Sequence, residues 1–435
     1  MIEKINIFWF RRDLRLNDNC GLFHALKSGK KLLPIFIFDE EILNKLPKDD
    51  ARVSFIHQEV ENINNRLKEI GSSLSFIKGK PLNIFKKLSE KYKIDSIFTN
   101  HDYEPYAIKR DLEIKDFLTS KNILFKTYKD QVIFERNEIV KKDGTPYKVF
   151  TPYSKKWLEA FCFKGIQFFP SEELLDNFIK TNSHQFLSLE EIGFTKSTIK
   201  IASYKVSSKL INQYEETRNF PAKDSTSKLG AHLRFGTVSI RKMVDKAAKS
   251  NNITFLKELI WREFFMQILW HFPYTIKKSF KPKYDRILWR NNEKEFEAWC
   301  KGETGYPLVD AGMRELNQTG FMHNRVRMLV GSFLCKHLLI DWRWGETYFA
   351  EKLHDYEQSS NIGNWQWVAG TGVDAAPYFR IFNPTTQIQK FDNDLDYIKK
   401  WVPDFQELTY PKPIVEHKFA RERCLKTYKK ALIEF

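Results

Sequence analysis

The sequence predicts two kinds of domain in one chain: an N-terminal α/β domain with a five-stranded parallel sheet, and an all-α C-terminal domain. Over the first 130 residues, short apolar runs alternate with amphipathic stretches. This alternation is typical of a doubly wound, Rossmann-like sheet with helices on both faces. From residue 196 onward, apolar residues recur at helical spacing and strand-like runs are few. A chain of 435 residues is long enough for both domains.

Five apolar runs are the predicted strands, and they cover Ile5–Phe10, Leu32–Phe38, Ser73–Ile77, Ser96–Thr99 and Ile123–Tyr128. Amphipathic patterns predict helices at Asn19–Ser28, Asp50–Ile70, Pro81–Tyr92 and Tyr106–Ser120. A dinucleotide-binding domain would carry Gly-x-Gly-x-x-Gly after its first strand. The stretch from Arg11 to Asn19 contains no glycine, which argues against an NAD site. We therefore predict a domain at 1–130, an interdomain linker with some helix at 131–195, and a helical domain at 196–435.

Composition limits the classes of function. The formal net charge of +16 indicates a polyanionic partner, of which nucleic acid is the commonest, although a generally basic surface would give the same charge. The five cysteines are scattered with no Cys-x-x-Cys pair, so we expect reduced thiols and no metal site. The N-terminus does not read as a signal peptide, and no apolar run is long enough to cross a membrane. These features predict a cytoplasmic protein.

Three segments combine residue types that suit a binding site. The segment Thr226–Gly230 reads as a helix N-terminus that could receive a phosphate, with a plain N-cap as the alternative. On a helix, Glu258, Trp261, Arg262 and Phe265 share one face, which suits a base stacked on the indole or a simple surface ion pair beside a buried tryptophan.

The third segment is Met322–Met328. Asn324, Arg327 and Met328 fall on one helical face, where an amide can read a base edge and a guanidinium can pair with a carboxylate or phosphate. The neighbouring His323 lacks a second ligand at metal spacing, so we interpret it as a packed or surface histidine. Nine of the eleven tryptophans lie beyond residue 260. Such a cluster is typical of a core, a stacking platform or an electron path. Hydrolase, kinase and deaminase motifs are absent from the sequence.

Together these segments resemble the photolyase/cryptochrome family over nearly the whole chain. The resemblance rests on Phe8–Arg15, on Thr226–Gly230 with Tyr214, and most specifically on Glu258–Gln387, including Asn361–Asn383. It is greatest to class I photolyases of cyclobutane pyrimidine dimers. The family fold is an α/β antenna domain joined by a linker to a helical FAD domain, in agreement with the pattern.

The resemblance implies FAD as cofactor and assigns residues to it. The implied FAD-binding residues are Tyr214, Thr226, Ser227, Lys228, Leu229, Gly230, Arg327, Asp355, Tyr356, Glu357 and Asn361, with Asp355 a partner of Arg327 and Asn361 facing the reactive flavin nitrogen. Trp365, Trp342 and Trp289 match an electron-transfer series from flavin to surface. After Pro105 the chain reads Tyr106-Ala107, where folate-binding members carry polar contacts, so a second, antenna chromophore is left unidentified.

The resemblance also implies the substrate, which is UV-damaged DNA with pyrimidine dimers. The implied lesion-binding residues are Glu258, Trp261, Arg262, Phe265, Asn324, Arg325, Met328, Trp367 and Gln387, of which Glu258 and Asn324, with Asn361, are the implied catalytic residues. Family members flip the damaged bases out of the duplex. The expected activity is light-driven splitting of the dimer by an electron from reduced FAD, in a monomer. The alternative is a blue-light receptor of cryptochrome type that signals through a partner.

Overall fold

The computed structural model describes residues 4–181 and 186–433, and the chain divides into two compact units. The first unit comprises residues 1–138, 158–203 and 229–249, and the second comprises residues 139–157, 204–228 and 250–435. Both units are discontinuous in sequence. The boundaries that we expect near residues 130 and 195 stay a prediction.

The first unit contains the predicted five-stranded parallel sheet. Its strands are β1 Ile5–Phe10, β2 Leu32–Asp39, β3 Ser75–Gly79, β4 Ile94–Asn100 and β5 Leu124–Tyr128, in the order β3-β2-β1-β4-β5. Every residue of β2 is buried, as expected for a strand with helices on both faces. The sheet confirms the fold class that the alternating pattern predicts.

The helices between the strands also lie where the sequence predicts them. They are α1 Cys20–Leu26, α2 Glu40–Leu43, α3 Ala51–Glu69, α4 Pro81–Lys91 and α5 Pro105–Ser120. Asn19 and Asp50 cap α1 and α3 with their side chains, and prolines begin α4 and α5. The short helix α2 has no counterpart in the prediction, because four residues are too few to show a period.

The rest of the described chain is helical or irregular. The helices that follow are α6 Phe150–Lys164, α7 Ser208–Thr217, α8 Gly230–Phe235, α9 Ile240–Ala248, α10 Thr254–His271, α11 Glu293–Lys301, α12 Pro307–Thr319, α13 Asn324–Ser332, α14 Trp342–Lys352, α15 Gln358–Ala369, α16 Pro384–Phe391, α17 Asp396–Trp401 and α18 His417–Ile433. A π-helical turn at Phe333–His337 continues α13. In the second unit, α15 packs against α10, α13 and α14.

A buried ion-pair network occupies the position where a dinucleotide-binding loop would lie. The Nη2 atom of Arg15 donates to both carboxylate oxygens of Asp130, at 2.8 and 2.7 Å, and Nη2 of Arg241 donates to the same carboxylate at 2.8 Å. All three side chains are buried. Burial acts to raise the pKa of Asp130, but the two guanidinium groups outweigh it and hold the pKa at about 2. This network therefore fixes the position of the charged loop after β1.

Replacement of Asp130 by Asn should lower the free energy of unfolding by about 3–5 kcal/mol, because it leaves two buried guanidinium groups without their shared carboxylate. The pKa of Asp130 is lowered on folding, so this stabilisation is present above about pH 4 and is lost as pH falls towards 2. Urea unfolding at pH 7 and pH 3 measures both effects. Asp116→Asn, at an exposed position of α5, is the matched control. A loss below about 1 kcal/mol would show that the network is dispensable.

Candidate functional site

A cavity of about 600 Å³ in the second unit collects residues from both implied sites. Its walls come from α13, α14, α15 and the Leu353–Glu357 segment. The predicted cofactor and lesion residues that line it are Asn324, Arg327, Met328, Asp355, Tyr356, Glu357, Asn361, Trp365 and Trp367. The helical spacing of Asn324, Arg327 and Met328 therefore predicts their common face correctly.

An ion pair between Arg327 and Asp355 fixes one wall of the cavity. The Nη2 atom of Arg327 donates to Oδ2 of Asp355 at 2.9 Å, and its Nε atom donates to the Met322 carbonyl at 2.7 Å. The other carboxylate oxygen, Oδ1 of Asp355, is buried without a hydrogen-bond partner. A buried oxygen of this kind needs a donor, which a bound molecule can supply.

The Asn361 amide is oriented by a neighbouring carboxyl group. Its Nδ2 atom donates to the backbone oxygen and to Oε1 of Glu346, both at 3.0 Å. Burial raises the pKa of Glu346, and hydrogen bonds from Asn361 and Tyr356 oppose that rise. Because both amide hydrogens are used in this contact, the Asn361 carbonyl oxygen remains as an acceptor towards a bound group.

Two glycines allow α15 to approach its neighbours closely. A Cβ atom on Gly345 of α14 would lie 2.1 Å from the Trp365 ring, and one on Gly363 of α15 would lie 2.2 Å from the Phe265 ring. No larger residue fits at either position. Sequence reasoning assigns Phe265 to the lesion face, whereas its ring packs against the backbone of α15. The sequence feature that indicates this close packing is a glycine inside each tryptophan-rich segment, Gly345 and Gly363.

The three tryptophans of the implied electron path lie in the second unit at different depths. Trp365 and Trp342 are buried, and Trp289 is half-buried. The Trp365 ring meets Phe349 at 5.0 Å and Trp299 at 6.2 Å between centroids. The Trp289 ring meets Tyr428 at 6.1 Å. The order that the resemblance implies for them, from flavin to surface, stays a prediction, and of the three only Trp365 lines the cavity.

Two charged residues on the predicted face of α10 form ion pairs. Glu258 forms an ion pair with Arg218, and Arg262 pairs with Glu357 of the cavity wall at 3.4 Å. Trp261 and Glu258 are not among the residues that line the cavity. Burial raises the pKa of Glu258, and the Arg218 guanidinium opposes the rise.

Aromatic packing holds Trp261. Its ring stacks on Phe150 with centroids 3.6 Å apart and planes 6° from parallel. Phe150 itself is buried, and its backbone N–H donates to the Asp374 carboxylate at 3.0 Å. Sequence reasoning does not find Phe150, because it lies more than one hundred residues before its partner.

Arg325 and Gln387 do not line the cavity. Nη2 of Arg325 donates to Oδ1 of Asn219 at 2.6 Å, and its guanidinium lies 4.3 Å from the Phe391 ring. Burial lowers the pKa of Arg325, as do the positive charges of Arg218 and Arg380. Gln387 lies one turn before Phe391 on α16 and is half-buried.

The segment Thr226–Gly230 leads into α8, which begins at Gly230 as predicted. The expectation of a Ser or Thr cap is wrong, because the N-cap residue is Leu229, whose side chain has no hydrogen-bonding group. Lys228 has a positive φ of 53°, and its ammonium lies 3.5 Å from the Phe321 ring. Leu229 and Gly230 belong to the first unit, whereas Thr226, Ser227 and Lys228 belong to the second.

Tyr214 and His323 are both held by packing. The Tyr214 ring meets Phe255 at 5.2 Å, and burial raises the pKa of its phenol. His323 is buried at the N-terminus of α13, where its Nδ1 atom accepts the Arg325 backbone N–H at 3.1 Å. Burial, followed by the nearby positive charges, lowers the pKa of His323 to about 3. It is a neutral capping residue, which agrees with its interpretation as a packed histidine.

A second cavity, of about 890 Å³, lies in the first unit. Its walls include Trp9, whose ring nitrogen is buried without a hydrogen-bond partner. The guanidinium groups of Arg11 and Arg110 each lie 4.8 Å from the Trp9 ring. The phenol of Tyr106 donates to Asp39 at 2.6 Å in the same wall. The arrangement suits a flat aromatic molecule that carries hydrogen-bond acceptors.

None of the helices in the described ranges, 4–181 and 186–433, is both long and apolar enough to span a bilayer. Residues 6–172 match the family model of DNA photolyase, and residues 255–409 match that of the FAD binding domain of DNA photolyase. The chain is 36% identical to the deoxyribodipyrimidine photo-lyase of Agrobacterium fabrum, over 97% of each protein.

Two solved structures share the fold. A bacterial class III photolyase from Agrobacterium tumefaciens has a TM-score of 0.86 at 33% identity, over 99% of this chain and 98% of that one. An archaeal photolyase from Sulfolobus tokodaii, solved with two FAD molecules, has a TM-score of 0.85 at 34% identity, over 98% of this chain and 99% of that one. The expected likeness to class I stays a prediction, because one of these structures is of class III. The chain belongs to the DNA photolyase/cryptochrome family, as a photo-lyase enzyme with that family's FAD-binding domain.

Proposed function

We propose that this enzyme repairs cyclobutane pyrimidine dimers in UV-damaged DNA, driven by light and dependent on FAD. One observation carries the proposal: a single cavity is lined both by the implied flavin residues Asn361 and Trp365 and by the implied lesion residues Asn324, Met328 and Trp367. A lesion bound there would lie within a few ångströms of a bound flavin. The other expectations, a monomer in the cytoplasm, belong to the same proposal.

The cavity residues fit a flavin. Trp365 and Tyr356 offer flat surfaces in the wall of the cavity. The unpartnered Oδ1 of Asp355 calls for a donor, and Asn361 presents an acceptor. When bound, FAD supplies the light absorption and the electron for the reaction. Arg327, Asp355, Glu357 and Asn361 would hold and orient it, and the buried tryptophans would exclude water from the reacting groups.

The lesion would be bound from the other side of the cavity. Asn324 offers both a donor and an acceptor for a base edge, Met328 offers an adaptable apolar contact, and half-buried Trp367 offers a ring for stacking. Trp261 and Glu258 would complete the pocket from α10. Arg218 keeps the Glu258 carboxylate paired, and therefore oriented, before DNA arrives.

A group of arginines is suited to the DNA backbone. Arg218 and Arg380 both lie near enough to Arg325 for their charges to lower its pKa, and Arg218 is paired with Glu258. One carboxylate does not balance three guanidinium groups, so positive charge remains here for a polyanion. The phosphates on either side of a flipped-out dimer would neutralise this charge. The overall charge of +16 supports the same interpretation.

The direct test is a repair assay. Pre-reduced protein with bound FAD is illuminated with an oligonucleotide that carries one thymine cyclobutane dimer, and recovery of thymine absorbance is followed. We expect recovery with this substrate, and none in the dark or with a (6-4) photoproduct. Bound, reduced FAD without recovery in the light would reject the repair function and favour the cryptochrome-type receptor.

Replacement of Glu258 by Ala should lower repair by about tenfold or more, because a charge-assisted hydrogen bond to the lesion contributes about 1.5–3 kcal/mol. The FAD content should stay unchanged, since Glu258 does not line the cavity. Repair rate and flavin absorbance measure the two properties. The control is Glu297→Ala, which removes an exposed carboxylate of α11. Parallel loss of repair and FAD would instead assign Glu258 a structural role.

We further propose that the cavity of the first unit binds the second, antenna chromophore. The Sulfolobus structure with two FAD molecules supports a flavin-like occupant. Arg110→Met should lower the content of a second chromophore several-fold and leave the first FAD in place, because it removes a cation next to the Trp9 ring. Reconstitution with excess FAD, followed by quantification of the released flavin, measures the ratio. A ratio of one FAD per chain in both proteins would contradict this assignment.

A further inference from the structure

We propose that Arg343 is a positioning residue that directs electron transfer along Trp289, Trp342 and Trp365, by holding a fixed positive charge against the middle tryptophan. This inference rests on the electron path that the family resemblance implies, and it adds to that path a residue outside the series. No motif in the sequence singles out Arg343.

The charge lies directly on the indole. The guanidinium carbon of Arg343 is 4.7 Å from the centroid of the Trp342 ring. Trp342 is 1% exposed, and its ring nitrogen has no hydrogen-bond partner. Trp342 is shielded from water, whereas the Arg343 side chain is 33% exposed, so water screens the guanidinium from the ring only in part.

Three partners prevent the guanidinium from moving away. Nη1 donates to both oxygens of Asp341, at 3.1 and 3.0 Å, and Nη2 donates to Oδ1 of Asp285 at 3.0 Å. Nε donates to the Lys277 carbonyl at 2.9 Å. Asp285 is itself held by the backbone N–H of Ser279 at 3.0 Å. Contacts on all three nitrogens fix the plane of the group as well as its place.

The start of α14 produces this geometry. Asp341 is the N-cap residue, and its carboxylate accepts the backbone N–H of Arg343 at 3.0 Å. The same carboxylate forms an ion pair with the Arg343 side chain, so Asp341 provides both the helix cap and the ion pair. Trp342 is the first residue of the helix, between the two, and its ring turns into the core.

The effect follows from the charge of the two states of Trp342. A cation next to a neutral indole is favourable. Once Trp342 has given an electron to oxidised Trp365, two positive charges lie about 5 Å apart and repel each other. Trp342 then takes an electron from Trp289, so that neutral Trp342 and a Trp289 radical cation result. One electron moves and no bond changes. Half-buried Trp289 can afterwards release its indole proton to water.

Arg343 thus opposes the arrival of positive charge on Trp342, favours its departure to Trp289, and opposes its return through Trp342 once it has reached Trp289. For unit charges about 5 Å apart, at an effective dielectric constant near 20, the repulsion is large enough to shift an equilibrium by more than about tenfold. Loss of Arg343 would also leave the Asp341 and Asp285 carboxylates uncompensated. Loss of the arginine charge and the uncompensated carboxylates both stabilise a radical cation on Trp342.

The test is flash photolysis of the protein with oxidised FAD, with the tryptophan radical followed by its absorbance. In Arg343→Gln the radical should recombine at least about tenfold faster than in the parent, and the yield of long-lived radical should fall accordingly. Arg343→Lys keeps the charge and should restore the parent lifetime. Arg314→Met, which removes the ion pair with Asp404, is the control with parental behaviour. Urea unfolding and FAD content confirm that each variant is folded, and Arg343→Met replaces the Gln variant if that one is not.

A parental radical lifetime in Arg343→Gln would overturn the inference, and so would a lysine variant as impaired as the glutamine one. Trp342→Phe separates this failure from failure of the electron path. If Trp342→Phe shortens the radical lifetime and Arg343→Gln does not, the path stands and Arg343 has no role in it. If Trp342→Phe has no effect, the proposed path is wrong and the inference falls with it. Repair by pre-reduced protein should be unchanged in every Arg343 variant.

Discussion

The close packing of α15 between α10 and α14 is the constraint on which the candidate site depends. Gly363 lets α15 lie against the Phe265 ring, and Gly345 lets α14 lie against Trp365. Because α15 carries Asn361, Trp365 and Trp367, its position sets the distance between the proposed flavin residues and the proposed lesion residues of the cavity. A side chain at either glycine would move the helix by more than a well-packed core tolerates.

Charges around this helix are paired so that their side chains cannot reorient. Arg327 is bound by Asp355 and Arg262 by Glu357, while the Asn361 amide is bound by Glu346. Buried ion pairs contribute little net stability but fix geometry when every partner is in place. The cavity walls are therefore preorganised, which is what a site needs when it must position two molecules and keep water away from them.

The arginines of the second unit occur in two kinds of environment. Arg343 is tied to two carboxylates and a carbonyl beside a buried ring. Arg218 and Arg380 lie close enough to Arg325 for their charges to lower its pKa. The first arrangement produces a local field inside the protein, whereas the second leaves positive charge available to a polyanion. We thus propose that the same residue type serves electron transfer in one place and DNA binding in another.

The sequence by itself determined the sheet, the order of its helices and the common face of Asn324, Arg327 and Met328, because periodicity and caps are local properties. Family motifs also assign Tyr214, Trp261 and the tryptophan series to the site, and these assignments stay predictions. Only the tertiary structure decided that Phe265 packs on a glycine, that Leu229 rather than a serine precedes α8, and that Phe150, Arg218 and Arg343 contact the motif residues. The partners of Trp261 and Glu258 are distant in sequence, and Arg343, next to Trp342 in the chain, is held by Asp285 from another segment. No spacing rule can show such contacts, since they form only when separate helices pack together.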